Sequence, residues 1–154
     1  MHIFEKNIKD LDLNIPDMPM PLANYVPYKI IDNLLYISGQ APSKQGAIQY
    51  FGKVGSDISE DEGIKAAELC CLNIIGCIKI AINSNWDKLD SFVKLGGFVN
   101  CDSNFSNHPN IINGASDLIV KIFEEKGRHT RFAVGSNSLP MNIAVEIDAI
   151  IKID

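Results

Sequence analysis

The chain has 154 residues, 46% of them apolar and 21% charged, which suits one globular domain with its own core and excludes a disordered or fibrous protein. Fourteen Lys and Arg against nineteen Asp and Glu give a net charge of -5, and the basic residues are scattered singly, which argues against nucleic acid as a partner. The N-terminal segment lacks the basic start and apolar run of a signal peptide, and no stretch approaches the ~20 apolar residues that cross a bilayer, so a cytoplasmic protein without a membrane partner is expected.

Residues 1–22 read as a short helix followed by an extended arm, because Pro16, Pro19 and Pro21 interrupt any continuing helix. Residues 28–31 and 34–38 look like strands around Asp32-Asn33, a pair suited to a tight turn, and Gly39-Gln40-Ala41-Pro42 ends the second. A Gly- and Ser-rich stretch follows, with a short strand expected over residues 49–54. Ser59-Glu60-Asp61-Glu62 then presents a capping box. Behind it Ile64, Ala67, Cys71, Ile74, Ile75, Ile78 and Ile82 recur at helical spacing and predict one apolar stripe to lay on a sheet.

Residues 89–101, rich in Phe, Val and Leu, predict a buried strand, and Gly96-Gly97 in its middle marks a bulge or a close backbone approach. Pro109 opens a second amphipathic helix, with Gly127 placed for a left-handed C-terminal cap. Two alternating runs, 130–136 and 143–151, flank Leu139-Pro140-Met141-Asn142 and predict a closing hairpin. The order β-β-(β)-α-β-α-β-β gives an α+β fold, a mixed sheet with two helices packed on one face, in a single domain over residues 1–154. The strands carry apolar residues on both sides, so the bare face predicts self-association. Cys70, Cys71 and Cys77 fall inside the first long helix, where reduced cysteines act as small hydrophobes. With Cys101 they form no ligand spacing, and no metal or cofactor is expected.

Two charged residues interrupt the last two apolar runs, Arg131 and Glu146. A cross-strand ion pair would be worth ~1 kcal/mol or less. A hairpin turning about Pro140 would set Arg131 opposite Ala149, which weakens that pairing. The functional alternative separates their roles: Arg grips a small carboxylate with its planar fork, and Glu moves a proton through a water. A substrate with a carboxylate beside an electrophilic carbon, an imino or keto acid, fits such a pair. Tyr25, Ser38 in the run Ser38-Gly39-Gln40, and Asn113 add polar groups at element ends, although Tyr25 also suits a packed aromatic and Asn113 a helix cap. Arg128 and His129 cluster beside Arg131, where a turn histidine is ordinarily just solvated.

Seven segments, in order, resemble the RidA/YjgF (reactive intermediate deaminase, endoribonuclease L-PSP-like) family in its longer branch of about 150 residues. They include Asn24-Tyr25-Val26-Pro27-Tyr28, Asn33-Leu34-Leu35-Tyr36-Ile37-Ser38-Gly39-Gln40-Ala41-Pro42, Gly52-Lys53-Val54-Gly55, Asn113-Gly114-Ala115-Ser116-Asp117-Leu118 and Gly127-Arg128-His129-Thr130-Arg131-Phe132-Ala133-Val134-Gly135, with Val145-Glu146-Ile147 near the end.

The resemblance implies a chorismate-mutase-like fold assembled as a homotrimer, with sites between subunits, and hydrolysis of enamine or imine acids such as 2-aminoacrylate to 2-keto acids and ammonia. It also implies that Arg131 holds the substrate carboxylate, that Glu146 positions or activates water, that Tyr25, Ser38, Gly39 and Asn113 line the pocket, and that the Ala133 amide contributes an oxyanion contact. The chain departs from the short deaminases in Ala133 where Cys is frequent, in an inserted Asn107-His108-Pro109 and in its longer N-terminal arm. The alternatives are a non-catalytic trimer that binds a small carboxylate or acts as a regulator, and, ranked lower, an endoribonuclease.

Overall fold

In the computed structural model, which describes residues 1–18 and 23–154, the chain opens with helix α1 (Ile3–Asp10). The His2 ring starts it by accepting from the Phe4 amide at 3.2 Å. Phe4 enters an aromatic cluster with Phe123, 4.9 Å away, and Trp86. The arm follows to residue 18. Pro19 and Pro21, expected to extend it, lie outside the described residues.

Strands β1 (Tyr28–Ile31) and β2 (Leu34–Gln40) form the expected hairpin, with Asp32 in the left-handed region that its turn demands. A separate small hairpin, β3 (Ser43–Lys44) with β4 (Ala47–Ile48), comes next. The strand expected over residues 49–54 is absent from the main sheet. That segment makes only isolated bridges, Phe51 to Ile143 and Val54 to Ile58, because Tyr50, Gly52 and Gly55 adopt positive φ and break the extended path.

The capping box is formed as read: the Glu62 amide donates to Ser59 Oγ at 3.1 Å and the Ser59 amide to the Glu62 carboxylate at 2.8 Å. It starts α2 (Glu60–Ala81). The helix is buried nearly all round from Cys70 to Ile78, between the sheet, a neighbouring helix and the arm, so its apolar surface is wider than the single stripe predicted. A Cβ at Gly76 would come 2.9 Å from the Pro16 carbonyl oxygen, which is how closely the arm crosses it.

Strand β5 (Leu89–Asn100) is central, followed by α3 (His108–Phe123), β6 (Thr130–Ser136) and β7 (Val145–Ile153). The five-stranded sheet has the order β1-β2-β7-β5-β6. The closing hairpin is therefore corrected. Helix α3 carries the chain back over the sheet, so β6 pairs parallel with β5, and β7 returns antiparallel on the other side of β5.

Two smaller expectations also change. Gly96 and Gly97 sit in regular register on both sides, and the bulges of β5 lie earlier, between Leu89 and Ser91 and between Phe92 and Lys94. The glycines serve close approach instead, since a Cβ at Gly97 would lie 2.7 to 2.9 Å from three Ile112 carbons. Helix α3 ends at Phe123, and its C-cap Glu124, with φ of 55, turns the chain three residues before Gly127.

Helices α2 and α3 cover one sheet face, with α1 packed against α3. On the other face Ile31, Tyr36, Phe98 and Val134 are exposed. Among the described residues no helix is long and apolar enough to cross a membrane.

Candidate active site

Register decides which way the two singled-out charges point. Arg131 pairs with Leu95, which pairs in turn with Ala149, so Arg131 shares the helix-covered face with these buried residues. Glu146 pairs with Phe98, three positions further along β5, and therefore lies on the bare face. Within one chain the sheet separates them. The ion pair is excluded, and two half-sites stand in its place.

The first half-site surrounds Glu146. Opposite β7, strand β2 bulges between Ile37 and Gln40, so Ser38 and Gly39 together face Asp148. The bulge brings the Gly39 backbone onto the Glu146 carboxylate: a Cβ there would overlap Oε1 and lie 3.1 Å from Cδ. Ser38 donates from Oγ to the Val26 carbonyl at 2.7 Å, which ties the segment carrying Tyr25 to the same rim. Tyr25 is 55% exposed. Burial pushes the Glu146 carboxyl above the ordinary carboxylate range, and the neighbouring Asp148 carboxylate adds to the shift. Among the described residues Glu146 has no ion-pair partner.

The second half-site lies along the edge strand β6 and the facing side of α3. Half-buried Arg131 donates from Nη1 to Ser116 Oγ at 3.0 Å and from Nη2 to the Pro109 carbonyl at 3.4 Å. Among the described residues no carboxylate lies within ion-pairing distance of it. A cavity of about 270 Å³ opens here, lined by Asn113, Ser116, Val120, Arg128, His129 and Arg131. Ala133 follows two residues along β6 on the same face. Asn113 sits in the second turn of α3 and is half-buried against this cavity, so the cap assignment is corrected: the N-cap is Asn107. The structure thus gathers Tyr25, Ser38, Gly39 and Glu146 on one side, and Asn113, Arg131 and Ala133 on the other.

A positively charged fork without a counterion and a desolvated carboxylate are matched to a small anionic substrate and a proton transfer. Comparison with known proteins gives the family. Residues 5–150 match the family described as "YjgF/chorismate_mutase-like, putative endoribonuclease". The chain belongs to the YjgF/chorismate mutase-like family. It is 36% identical over 149 residues to protein TCP17 of Trypanosoma cruzi, covering 96% of this chain and 92% of that one. The crystal structure of Atu1372 from Agrobacterium tumefaciens, described as of unknown function, superposes with a TM-score of 0.92 at 45% identity, covering 99% of this chain and 94% of the other. A Shewanella oneidensis structure described as a "putative endoribonuclease" gives 0.93 at 32%, covering 98% and 99%.

As a YjgF-family chain it carries two of its three departures, Ala133 and Asn107-His108-Pro109, beside Arg131, while the N-terminal arm packs on α2. Asn107 caps α3 and His108-Pro109 open its first turn, which supplies the Pro109 carbonyl that meets Arg131, while His108 Nε2 lies 3.4 Å from Cys101 Sγ. All four cysteines are free and buried, as the helix pattern suggested for the first three. Burial pushes the Cys77 thiol up to about 11. Two neighbours were missed as contributors, Asp148 and Ser116. A solvent-facing Asp in an alternating strand and a Ser in a helix carry no local signal, and both gain meaning only through partners brought from elsewhere in the chain.

Proposed function

We propose that this YjgF-family protein is a cytoplasmic deaminase that hydrolyses reactive 2-imino and 2-enamino acids, of the 2-aminoacrylate kind, to 2-keto acids and ammonia. The observation that carries the proposal is the split itself: an unpaired Arg131 and a desolvated Glu146 stand on opposite faces of one sheet, each with its own ring of polar neighbours. A working site then needs the Arg131 side of one copy against the Glu146 side of another. A head-to-tail ring meets that requirement, and a homotrimer is the smallest such ring.

In such a site Arg131 holds the substrate carboxylate in two parallel hydrogen bonds. Glu146, its pKa raised by burial and by Asp148, takes a proton from water as the water oxygen adds to the imine carbon. The protonated Glu146 returns that proton to the nitrogen. Glu146 then carries the hydroxyl proton of the resulting carbinolamine to its amino nitrogen, and ammonia leaves as the carbonyl forms, so the overall change is imine plus water to keto acid plus ammonia. The Ala133 amide is assigned to the developing negative oxygen, with Tyr25, Ser38 and Asn113 lining the pocket. The scheme draws on the chain's own residues alone, with no metal or organic cofactor.

The test is hydrolysis of 2-aminoacrylate generated in situ by a dehydratase, with wild type, Arg131→Ala and Glu146→Ala. Each variant is expected to be inactive alone. Reassembled together in equal amounts they are expected to recover about one site in four, because only that fraction of interfaces joins an intact arginine to an intact glutamate. No acceleration by the wild type, with keto acids still bound through Arg131, would favour a non-catalytic carboxylate-binding trimer. Recovery absent from the mixture would place the whole site in one chain and sink the proposal.

A further inference from the structure

The hydrogen bonds behind Arg131 form a chain that the proposed chemistry does not use. His129 Nδ1 lies 2.7 Å from the Gly127 carbonyl oxygen, and His129 Nε2 lies 2.8 Å from Ser116 Oγ. A carbonyl only accepts, so Nδ1 carries the ring proton, and in the neutral imidazole Nε2 is the acceptor. The Ser116 hydroxyl therefore donates to His129, which turns its oxygen lone pairs toward Arg131 Nη1, 3.0 Å away. Gly127 itself is pinned, since a Cβ there would come 2.7 Å from the Ile119 carbonyl oxygen of α3. The chain thus runs from fixed backbone, through the imidazole and the hydroxyl, to the guanidinium.

We infer that Ser116 and His129 are positioning residues that set the orientation of the Arg131 fork for a carboxylate ligand, with the His129 ring acting as a fixed acceptor rather than as an acid or base. The inference rests on the carboxylate role proposed for Arg131. Its physical basis is preorganisation. Arg131 stands on an edge strand with no anionic partner among the described residues, and a long unpaired side chain would lose rotamer freedom on binding a ligand. Ser116 and the Pro109 carbonyl hold two of its N–H groups in advance and leave the other three for the ligand. The pair also accounts for a histidine that sequence pattern alone would leave as a solvated turn residue.

The experiment titrates 2-oxobutanoate into the assembled full-length protein by calorimetry, with melting temperature as the control for folding. Ser116→Ala and His129→Leu are each expected to weaken binding about tenfold, and the double variant no more than either alone, since both cut one chain. His129→Gln, whose amide oxygen replaces Nε2 as acceptor, is expected to stay within about threefold of wild type. A purely structural role for the ring would not be rescued by an acceptor of different shape. Ser116→Ala binding like wild type while Arg131→Ala has lost the ligand would overturn the inference alone, as would equal losses in His129→Gln and His129→Leu. Arg131→Ala binding like wild type would instead overturn the carboxylate role on which it rests.

Discussion

Replacing Gly39 by alanine should separate activity from stability. A Cβ at this position overlaps Glu146 Oε1 and lies 3.1 and 3.3 Å from Cδ and Cγ, and nothing else stands nearer. Relief to an ordinary carbon–oxygen contact moves the carboxylate by about 1 Å. The obstacle is the end of a flexible side chain, so Glu146 can swing aside without moving backbone. Gly39 is not in the left-handed region, and alanine there restricts the unfolded chain, a gain of about 0.4–1 kcal/mol that offsets the lost rotamer. Melting temperature should therefore stay within about 3 °C of wild type. Activity should not, because a misplacement of about 1 Å in a proton-transferring group costs on the order of 100-fold. The assay is 2-aminoacrylate hydrolysis beside a thermal melt, with Glu146→Asp added to Gly39→Ala as a shorter carboxylate that clears the methyl. Unchanged activity in Gly39→Ala would refute the assignment of Glu146, and parallel loss of activity and stability would refute the reasoning that separates them.

Four other variants have expected outcomes. Burial first and Asp148 second hold the Glu146 carboxyl above its ordinary value, so activity should fall as pH drops through a limb above the usual carboxylate range. Asp148→Asn should move that limb to lower pH, and a limb that stays put counts against Glu146 as the base. The same shift has a stability sign: the contribution present at low pH is lost as pH rises through the raised value, so Glu146→Gln should melt higher than wild type above the limb and not below it. On the bare face, Val134→Glu buries a charge if that face joins copies, costing about 2 kcal/mol or more per interface. Light scattering should then show dissociation, and an unchanged mass rejects this face as the contact. In the α2–α3 crossing, a Cβ at Gly114 overlaps the Ile64 carbonyl oxygen, which cannot swing away. Because the obstacle is backbone, overpacking costs about 2–3 kcal/mol, which leaves about 1–2 kcal/mol after alanine's helix-propensity gain, so Gly114→Ala should lower the melting temperature by about 2–8 °C in a thermal scan.

What was legible in the sequence had causes within a few residues. The Ser59–Glu62 box lies inside one turn, the β1–β2 hairpin turns on Asp32-Asn33, and the burial of the cysteines in α2 follows from helical spacing. What was misread depended on partners far away. Residues 130–136 and 143–151 alternate as hairpin strands would, yet the long strand β5 offers two edges, and the α3 crossover delivers β6 to one of them while β7 takes the other. The hairpin count nevertheless set Arg131 level with Ala149. In the sheet the two are level, with Leu95 between them. Arg131 and Glu146 stood out because charge in an apolar run is visible in any register, whereas Ser116, His129 and Asp148 acquire partners only after folding.

The bare sheet face and the divided site are consequences of one arrangement. Helices α2 and α3 suffice for a single face, so the second presents Tyr36, Phe98 and Val134 to solvent. Glu146 lies on that face beside Phe98, and Arg131 lies at the open edge of the other, where β6 has no further strand beside it. Covering the apolar face with a second copy would desolvate Glu146 further, in the direction that burial within the chain has already moved it. Association would then do two things at once: it would remove exposed apolar surface and bring a carboxylate poised for proton transfer within reach of the next copy's arginine. In that arrangement the separated chain lacks not merely a neighbour but half of its chemistry.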